Sequence, residues 1–282
     1  MRIGLHLSST GPLDAFPREA AAARHLDSAW TNQQPGGWDP LALLPHVDGP
    51  PELGTAVVPT YPRHPVVMAT EALTVQALTG GRLTLGIGPS HEHAITGWWG
   101  IPYTKPASHT REYLEVLRPL LRGDHVKYSG EFFTVDHQLA VTAPPPPVLI
   151  AALGPRMLGI ARDLADGTIG VWLRPDTVES YLVPRLGENQ RVAVVVMVAL
   201  TGDPDATRER IARDFAIVGE LPAYRAVLDR GGLRGPADTV VAGDEAQVLR
   251  ELRRFRDAGV TDLIISPLTA RERLLEVALE AR

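Results

Sequence analysis

The sequence predicts an α/β protein built as a (β/α)8 barrel. Two observations point there. Short apolar runs alternate with stretches of helical periodicity along the whole chain, and eight of those runs suit parallel strands buried on both faces. At 282 residues the chain has an ordinary length for one such barrel. No internal repeat and no clean linker divides it, so residues 1–282 are expected to form a single domain.

The elements follow in order. Ile3 to Leu7 reads as the first strand, and Phe16, Ala20, Ala23 and Leu26 recur behind it at helical spacing. Ser28 to Thr31 is the second strand, followed by a polar, Gly-rich loop from Asn32 to Trp38. Asp39-Pro40 supplies an N-cap and a first-turn proline for a short helix through Leu44. Leu53 to Val58 is the third strand, and Val66, Ala69, Leu73 and Ala77 mark a helix that Gly80-Gly81 stops. Leu83 to Ile87 is the fourth strand. A long excursion from Ser90 to about His109 precedes a helix carrying Tyr113, Leu117, Leu120 and Leu121. Val126 to Tyr128 and Phe132 to Val135 suit a small hairpin.

Pro144 to Pro147 form a stiff spacer into the fifth strand, Val148 to Ala151, and Met157, Ala161 and Leu164 mark the next helix. Thr168 to Leu173 is the sixth strand, with a helix from about Asp176 to Leu186. Val192 to Leu200 is the seventh. Asp203-Pro204 starts a helix showing Ile211, Phe215 and Val218, and Glu220 to Gly243 reads as loop-rich. Val248, Leu252, Phe255 and Ala258 mark a helix before the eighth strand, Asp262 to Ser266, and an amphipathic helix closes the chain.

Composition narrows the function. Hydrophobic residues make up 44%, enough for a large core. With 28 Lys and Arg against 33 Asp and Glu, the net charge of -5 gives no support to a nucleic-acid or anionic-membrane partner. There is no cysteine, which excludes disulfides, thiolate metal sites and cysteine nucleophiles. The Met1-Arg2-Ile3-Gly4 start lacks a signal peptide's apolar region, and no apolar run reaches the length of a membrane span. A soluble cytoplasmic protein with a small-molecule substrate is expected, with a homodimer as a possible assembly.

Barrels of this class carry their chemistry at the C-terminal ends of the strands. That rule nominates His6 to Ser9, Asn32 to Trp38, Val57 to Arg63, Gly88 to His93, Ala152 to Arg156, Trp172 to Arg174, and Ser266. The fourth strand ends in Gly86-Ile87-Gly88-Pro89-Ser90-His91. This is no dinucleotide fingerprint, because His91 stands where a third glycine would be, and on its own it is a tight turn with glycines for steric reasons. Leu153-Gly154-Pro155-Arg156 adds a second strand end suited to an anion: Pro155 opens a helix whose free N–H groups carry the positive end of its dipole, and Arg156 adds a charge. His91-Glu92-His93 lacks a metal-site spacing, so no metal is expected, and His91 is the candidate for hydrogen bonding or proton transfer. Gln33 and Gln34 can bind and orient but do not titrate. His6, Gln34, Trp38, Tyr61, Trp98 and Trp172, with Trp99 beside them, are the candidates to wall a substrate pocket; core packing is the competing reading for Trp172.

Three stretches carry a family resemblance: Thr55 to Pro65, Gly81 to His91 and Arg111 to Leu121. Pro146 to Met157, Leu164-Ala165-Asp166-Gly167, Leu221-Pro222-Ala223-Tyr224 and Gly243-Asp244-Glu245 fit the same pattern. Over nearly the whole chain they resemble the bacterial luciferase-like superfamily, and within it the coenzyme F420-dependent oxidoreductases. The resemblance implies a TIM barrel with a deazaflavin across its C-terminal mouth, supported by a non-prolyl cis peptide that falls here at Ala56–Val57. It implies that Gly88, Pro89, Ser90 and His91, with Leu153, Gly154, Pro155 and Arg156, hold the phosphate-containing tail, with Gln33 also at the cofactor. It also implies two-electron hydride transfer, with a proton from His91 or water. Sugar-phosphate dehydrogenases of the superfamily carry an acid and a histidine just after the second strand. Gln33 and Gln34 stand there instead, which points to a reductase. An FMN-dependent monooxygenase of the same fold is the alternative, and a non-catalytic F420- or flavin-binding protein is the alternative of another class.

Overall fold

The computed structural model describes residues 1–34 and 36–282. Pro35, inside the predicted Asn32–Trp38 loop, lies outside the described residues. Eight parallel strands form the barrel: β1 (Arg2–Leu7), β2 (Ser28–Thr31), β3 (Glu52–Thr55), β4 (Leu83–Gly88), β5 (Val148–Ala151), β6 (Gly167–Val171), β7 (Arg191–Leu200) and β8 (Asp262–Pro267). Each strand pairs in parallel with its neighbours in sequence, and β8 returns to β1, so the ring is closed. Helices supply the crossovers that parallel pairing demands. β2 and β5 have the spans expected from the apolar runs.

Trp30, Leu149, Ile169, Ala193 and Ile264 fill the inside of the ring. Trp30 is fully buried, and its Nε1 donates to Ser28 Oγ at 2.8 Å, so the indole's polar atom is satisfied. Gly54 makes room for it: a Cβ there would stand 2.1 Å from Trp30 Cε3. A second, larger apolar layer lies between the barrel and its helices, including Leu5, Leu53, Leu85, Leu117 and Leu263.

The third strand is shorter than the run Leu53 to Val58 suggests. The Ala56–Val57 peptide is cis, and the chain resumes as Val58–Pro59, which pairs with the end of β4 at Ile87 and Gly88. Thr55 Oγ1 donates to Gly86 O at 2.7 Å and accepts from Gly86 N at 2.8 Å, tying the interruption to β4. The glycines of β4 answer to this close approach. A Cβ on Gly86 would lie 1.9 Å from Thr55 O, and one on Gly88 would lie 2.8 Å from Ala151 Cβ.

At the N-terminal end of the barrel, Arg191 bonds Asp262 at 2.8 Å, Glu52 at 2.7 Å and Thr84 Oγ1 at 3.2 Å, joining four strands. Arg2 pairs with the same two carboxylates at 2.5 Å each.

Three further segments differ from expectation. The excursion after β4 contains the helix Glu92–Trp99, ended by Gly100 in the left-handed region, before the helix Pro106–Leu121. The section from Glu220 to Gly243 contains the helix Pro222–Arg230 and a short strand, Val241–Gly243, that adds to β7. The hairpin pairs Val126–Ser129 with Thr134–His137, later by two residues on its second strand. Glu112 accepts from the N–H groups of Glu131 and Phe132, which widens the turn and leaves Phe132 and Phe133 to pack on His109. Among the described residues, no helix is long and apolar enough to cross a membrane.

Candidate active site

Above the interruption of β3, at the C-terminal end of the barrel, lies a cavity of about 510 Å³. Ala56 and Val57 line it, so the cis peptide faces the space where a ligand would lie. Pro89, Ser90 and His91 enter from the end of β4, with His93, Ala94 and Trp98 from the helix that follows. Leu153, Gly154, Pro155 and Met157 come from the end of β5 and the helix Pro155–Leu164. Tyr224 and Arg230 come from the helix Pro222–Arg230, and Asn32 and Gln33 from the end of β2.

The turn after β4 is built to deliver side chains rather than to close tightly. Ser90 takes a left-handed conformation with φ of 62°, and Tyr103 Oη donates to its carbonyl at 3.1 Å. His91 then caps the helix Glu92–Trp99 from an extended conformation, with no side-chain cap bond among the described residues. Its ring is 4.7 Å from that of Tyr224 and 6.1 Å from that of His93. Burial, reinforced by His93, pulls the His91 pKa down to about 4. At neutral pH the imidazole is therefore uncharged, with one N–H to donate and one nitrogen to accept. Burial pushes the Tyr224 phenol up to about 12 and raises that of Tyr103, so both remain protonated donors.

None of the lining residues is an aspartate or glutamate. Arg230 supplies a cation, held by its bond to Ala226 O at 2.9 Å and by its position 4.5 Å from the Tyr181 ring centre. The helix Pro155–Leu164 begins at Gly154 with no side-chain cap among the described residues, so its first N–H groups and positive dipole end are free. A Cβ on Gly154 would meet nothing within 4 Å, so that helix start opens onto empty space. An anionic group fits there. Among the described residues no cluster of three or more His, Asp or Glu side chains could hold a metal ion.

The sequence matches the family model described as luciferase-like monooxygenase over residues 21–262. The chain belongs to this family. A Mycobacterium tuberculosis protein named "Putative coenzyme F420-dependent oxidoreductase Rv3520c" is 25% identical, with 96% of each chain covered. A 5,10-methylenetetrahydromethanopterin reductase of Archaeoglobus fulgidus is 29% identical over 67% of this chain and 60% of its own. Among solved structures, the coenzyme F420-dependent tetrahydromethanopterin reductase of Methanopyrus kandleri superposes with a TM-score of 0.80. It has 21% identity and covers 100% of this chain and 97% of that one. This likeness shows the TIM-barrel fold.

Most of the residues expected at the site of this luciferase-like chain meet at the cavity: Gln33, Ala56, Val57, Pro89, Ser90, His91, Leu153, Gly154, Pro155 and Trp98. Gly88 does not. It is buried in β4 against Ala151, and its lack of a side chain serves packing. Arg156 is exposed on the helix beyond Pro155 and is not part of the lining. His6 and Gln34 stand behind the wall, joined through Asn32: His6 Nε2 is 3.0 Å and Gln34 Nε2 3.5 Å from Asn32 Oδ1. Burial lowers the His6 pKa, which keeps that ring neutral.

Three aromatic expectations need correction. Tyr61 stacks on His109 at 3.9 Å and donates to Thr104 O at 2.6 Å; its neighbour Tyr103 reaches the cavity instead. Trp38 lies in a separate apolar pocket with Leu13, Phe16 and His46, its Nε1 bonded to Gly11 O at 2.9 Å. Trp172 is buried with Ile211, Val218, Leu228 and Val240, and packs on Phe215. Trp99 reaches only the edge of Trp98, at 5.7 Å. Tyr103 and Arg230 line the cavity without a sequence signal that marks them as site residues, and Tyr224 is marked only by the Leu221-Pro222-Ala223-Tyr224 motif. The signal for that element was Leu221-Pro222, a proline at the first helical position.

Proposed function

We propose that this luciferase-like chain is an F420-dependent oxidoreductase acting as a reductase on a small organic substrate. The observation that carries the reading is the cavity itself: a cis peptide faces its interior, no carboxylate lines it, and an uncapped helix start opens onto it. A planar ring with an anionic tail fits that donor set. Ala56 and Val57 would support the ring, while the first N–H groups of the helix Pro155–Leu164, with Ser90, would hold the phosphate. When bound in its reduced form, F420 would supply a hydride for two-electron reduction and be left oxidised. The relatives named for F420 use support this choice of cofactor.

The chain's own residues orient rather than ionise. The cavity has no carboxylate to serve as a base for alcohol oxidation, and Gln33 follows β2 at its rim. With Gln33 in the place of an acidic residue after β2, the acid-and-histidine mechanism of the sugar-phosphate dehydrogenases has no counterpart here, which supports the reductase reading. His91, neutral in the fold, donates or accepts a hydrogen bond, and the proton that accompanies the hydride would come from His91 or from water. Trp98 would give the substrate side an apolar wall that limits competing water.

Fluorescence titration of the purified protein with F420 and with FMN tests the cofactor. F420 is expected to bind the more tightly, and reduced F420 to be consumed with a panel of enones or imines. Binding of FMN alone, with oxygen consumed in the presence of reduced FMN and a substrate, would overturn the proposal in favour of a monooxygenase.

A further inference from the structure

Arg63 lies between Val58–Pro59 and the helix Pro65–Leu78, behind the cavity wall. Its side chain is 15% exposed, and its guanidinium meets three partners. Nη2 donates to Gln33 Oε1 at 3.2 Å and also bonds Asp39 Oδ2, while Nε stands 3.4 Å from Glu71 Oε2. Asp39 turns its other oxygen to the N–H groups of Leu41 and Ala42, at 2.9 and 3.2 Å, capping the helix Pro40–Leu43. One cation thus holds both ends of the loop that follows β2.

The chemistry of this contact dictates which way the Gln33 amide faces. A guanidinium has donors and no acceptor, so only the Gln33 carbonyl oxygen can bond it. The NH2 group is consequently turned away from Arg63. The backbone of Gln33 is anchored as well, its N–H donating to Val57 O at 3.1 Å, beside the cis peptide. Gln33 lines the cavity next to Ala56 and Val57.

We infer that Gln33 is a hydrogen-bond donor to a carbonyl oxygen of the ring lying on Ala56 and Val57, and that Arg63 is the positioning residue that enforces this polarity. The charge of Arg63 also polarises the amide, which strengthens the bond its NH2 makes. A ligand that presents a donor at this wall meets another donor and is rejected. The inference rests on the F420 reading for the identity of the ring, but its logic applies to any planar heterocycle with a carbonyl edge.

The test compares Gln33→Met, Gln33→Glu, Arg63→Met and the Arg63→Met/Gln33→Met double variant with wild type. F420 affinity is measured by fluorescence, and the carbonyl stretch of the bound ring by difference infrared spectroscopy. Gln33→Met is expected to weaken binding about tenfold. Gln33→Glu, which presents an oxygen where a donor stood, is expected to weaken it about a hundredfold. Arg63→Met should cost about as much as Gln33→Met, the double variant no more than either, and the carbonyl band should rise in frequency in each. Unchanged affinity or an unmoved band in Gln33→Met overturns the inference, as do losses that add in the double variant. If Arg63→Met fails to fold, the two Gln33 variants decide it. If wild type does not bind F420, the function proposed above falls, and the same variants are titrated with FMN, whose ring carries the same carbonyls. Loss of binding in Gln33→Met then supports the inference, and no loss, or no binding of either ring by wild type, overturns it.

Discussion

At the N-terminal end of the barrel, two arginines and two carboxylates are mutually paired: Arg2 and Arg191 share Glu52 and Asp262 at 2.5–2.8 Å. At the C-terminal end, the described residues lining the cavity over Ala56 and Val57 include no carboxylate, one arginine and two histidines. Both ends are built from the same strands. The lower end satisfies its charges internally, so it is suited to holding strands β1, β3, β7 and β8 together. The upper end leaves donors without internal acceptors, as a helix start and an amide would be if they await an external anion or carbonyl. The function proposed above is placed at the end where donors are left uncompensated.

That contrast can be broken in order of expected effect. Asp262→Ala should be the most damaging, because it strands Arg191 and Arg2 beside a single remaining carboxylate. We expect a loss of about 3–5 kcal/mol in urea denaturation, with F420 affinity of the folded protein unchanged. A loss of affinity without a loss of stability would remove the division of labour between the two ends.

The second test uses pH. His109, 5% exposed and stacked on Tyr61, has its pKa lowered to about 4 by burial. A histidine with a folded pKa below its unfolded value binds its proton first in the unfolded chain. Its stabilising contribution is present above the unfolded value of about 6.5 and is lost as pH falls toward 4. For His109 this amounts to a loss on the order of 3 kcal/mol across that window. His91 should add a slope in the same direction. Urea midpoints at pH 7 and pH 4.5 should converge in His109→Gln, and equal slopes in variant and wild type would show that another group governs acid sensitivity.

Gly154→Asp sharpens the comparison with the smallest expected effect. The added side chain meets nothing within 4 Å, and aspartate is a good N-cap, so stability should hold or rise. The same carboxylate occupies the place assigned to the phosphate. F420 affinity should fall about ten- to a hundredfold. Retained affinity in the folded variant would move the phosphate elsewhere on the rim.

Much of this was legible in the chain, and for local reasons. Val148 to Ala151 has the span that its continuous apolar run predicts, as a strand buried on both faces should. The cis bond at Ala56–Val57 was placed by resemblance, and no periodicity would have found it. Helix Glu92–Trp99 escaped because it buries only Ala94 and Ile95 and leaves Trp98 and Trp99 exposed, so its apolar pattern faces the wrong way. Helix Pro222–Arg230 buries only Val227 and Leu228, too little for a periodic signal. Trp38 and Trp172 stand near strand ends in the sequence, yet one packs outside the barrel and the other in the core.

By itself, then, the sequence determined the eight strands and the two helix-start and strand-end motifs of the rim, because these depend on neighbours within a few residues. Tertiary structure alone decided that Tyr224 lies against His91, that Arg63 turns the Gln33 amide, and that Arg191 spans four strands. Those contacts join residues 30 to 139 positions apart, and only closure of the ring brings them within bonding distance.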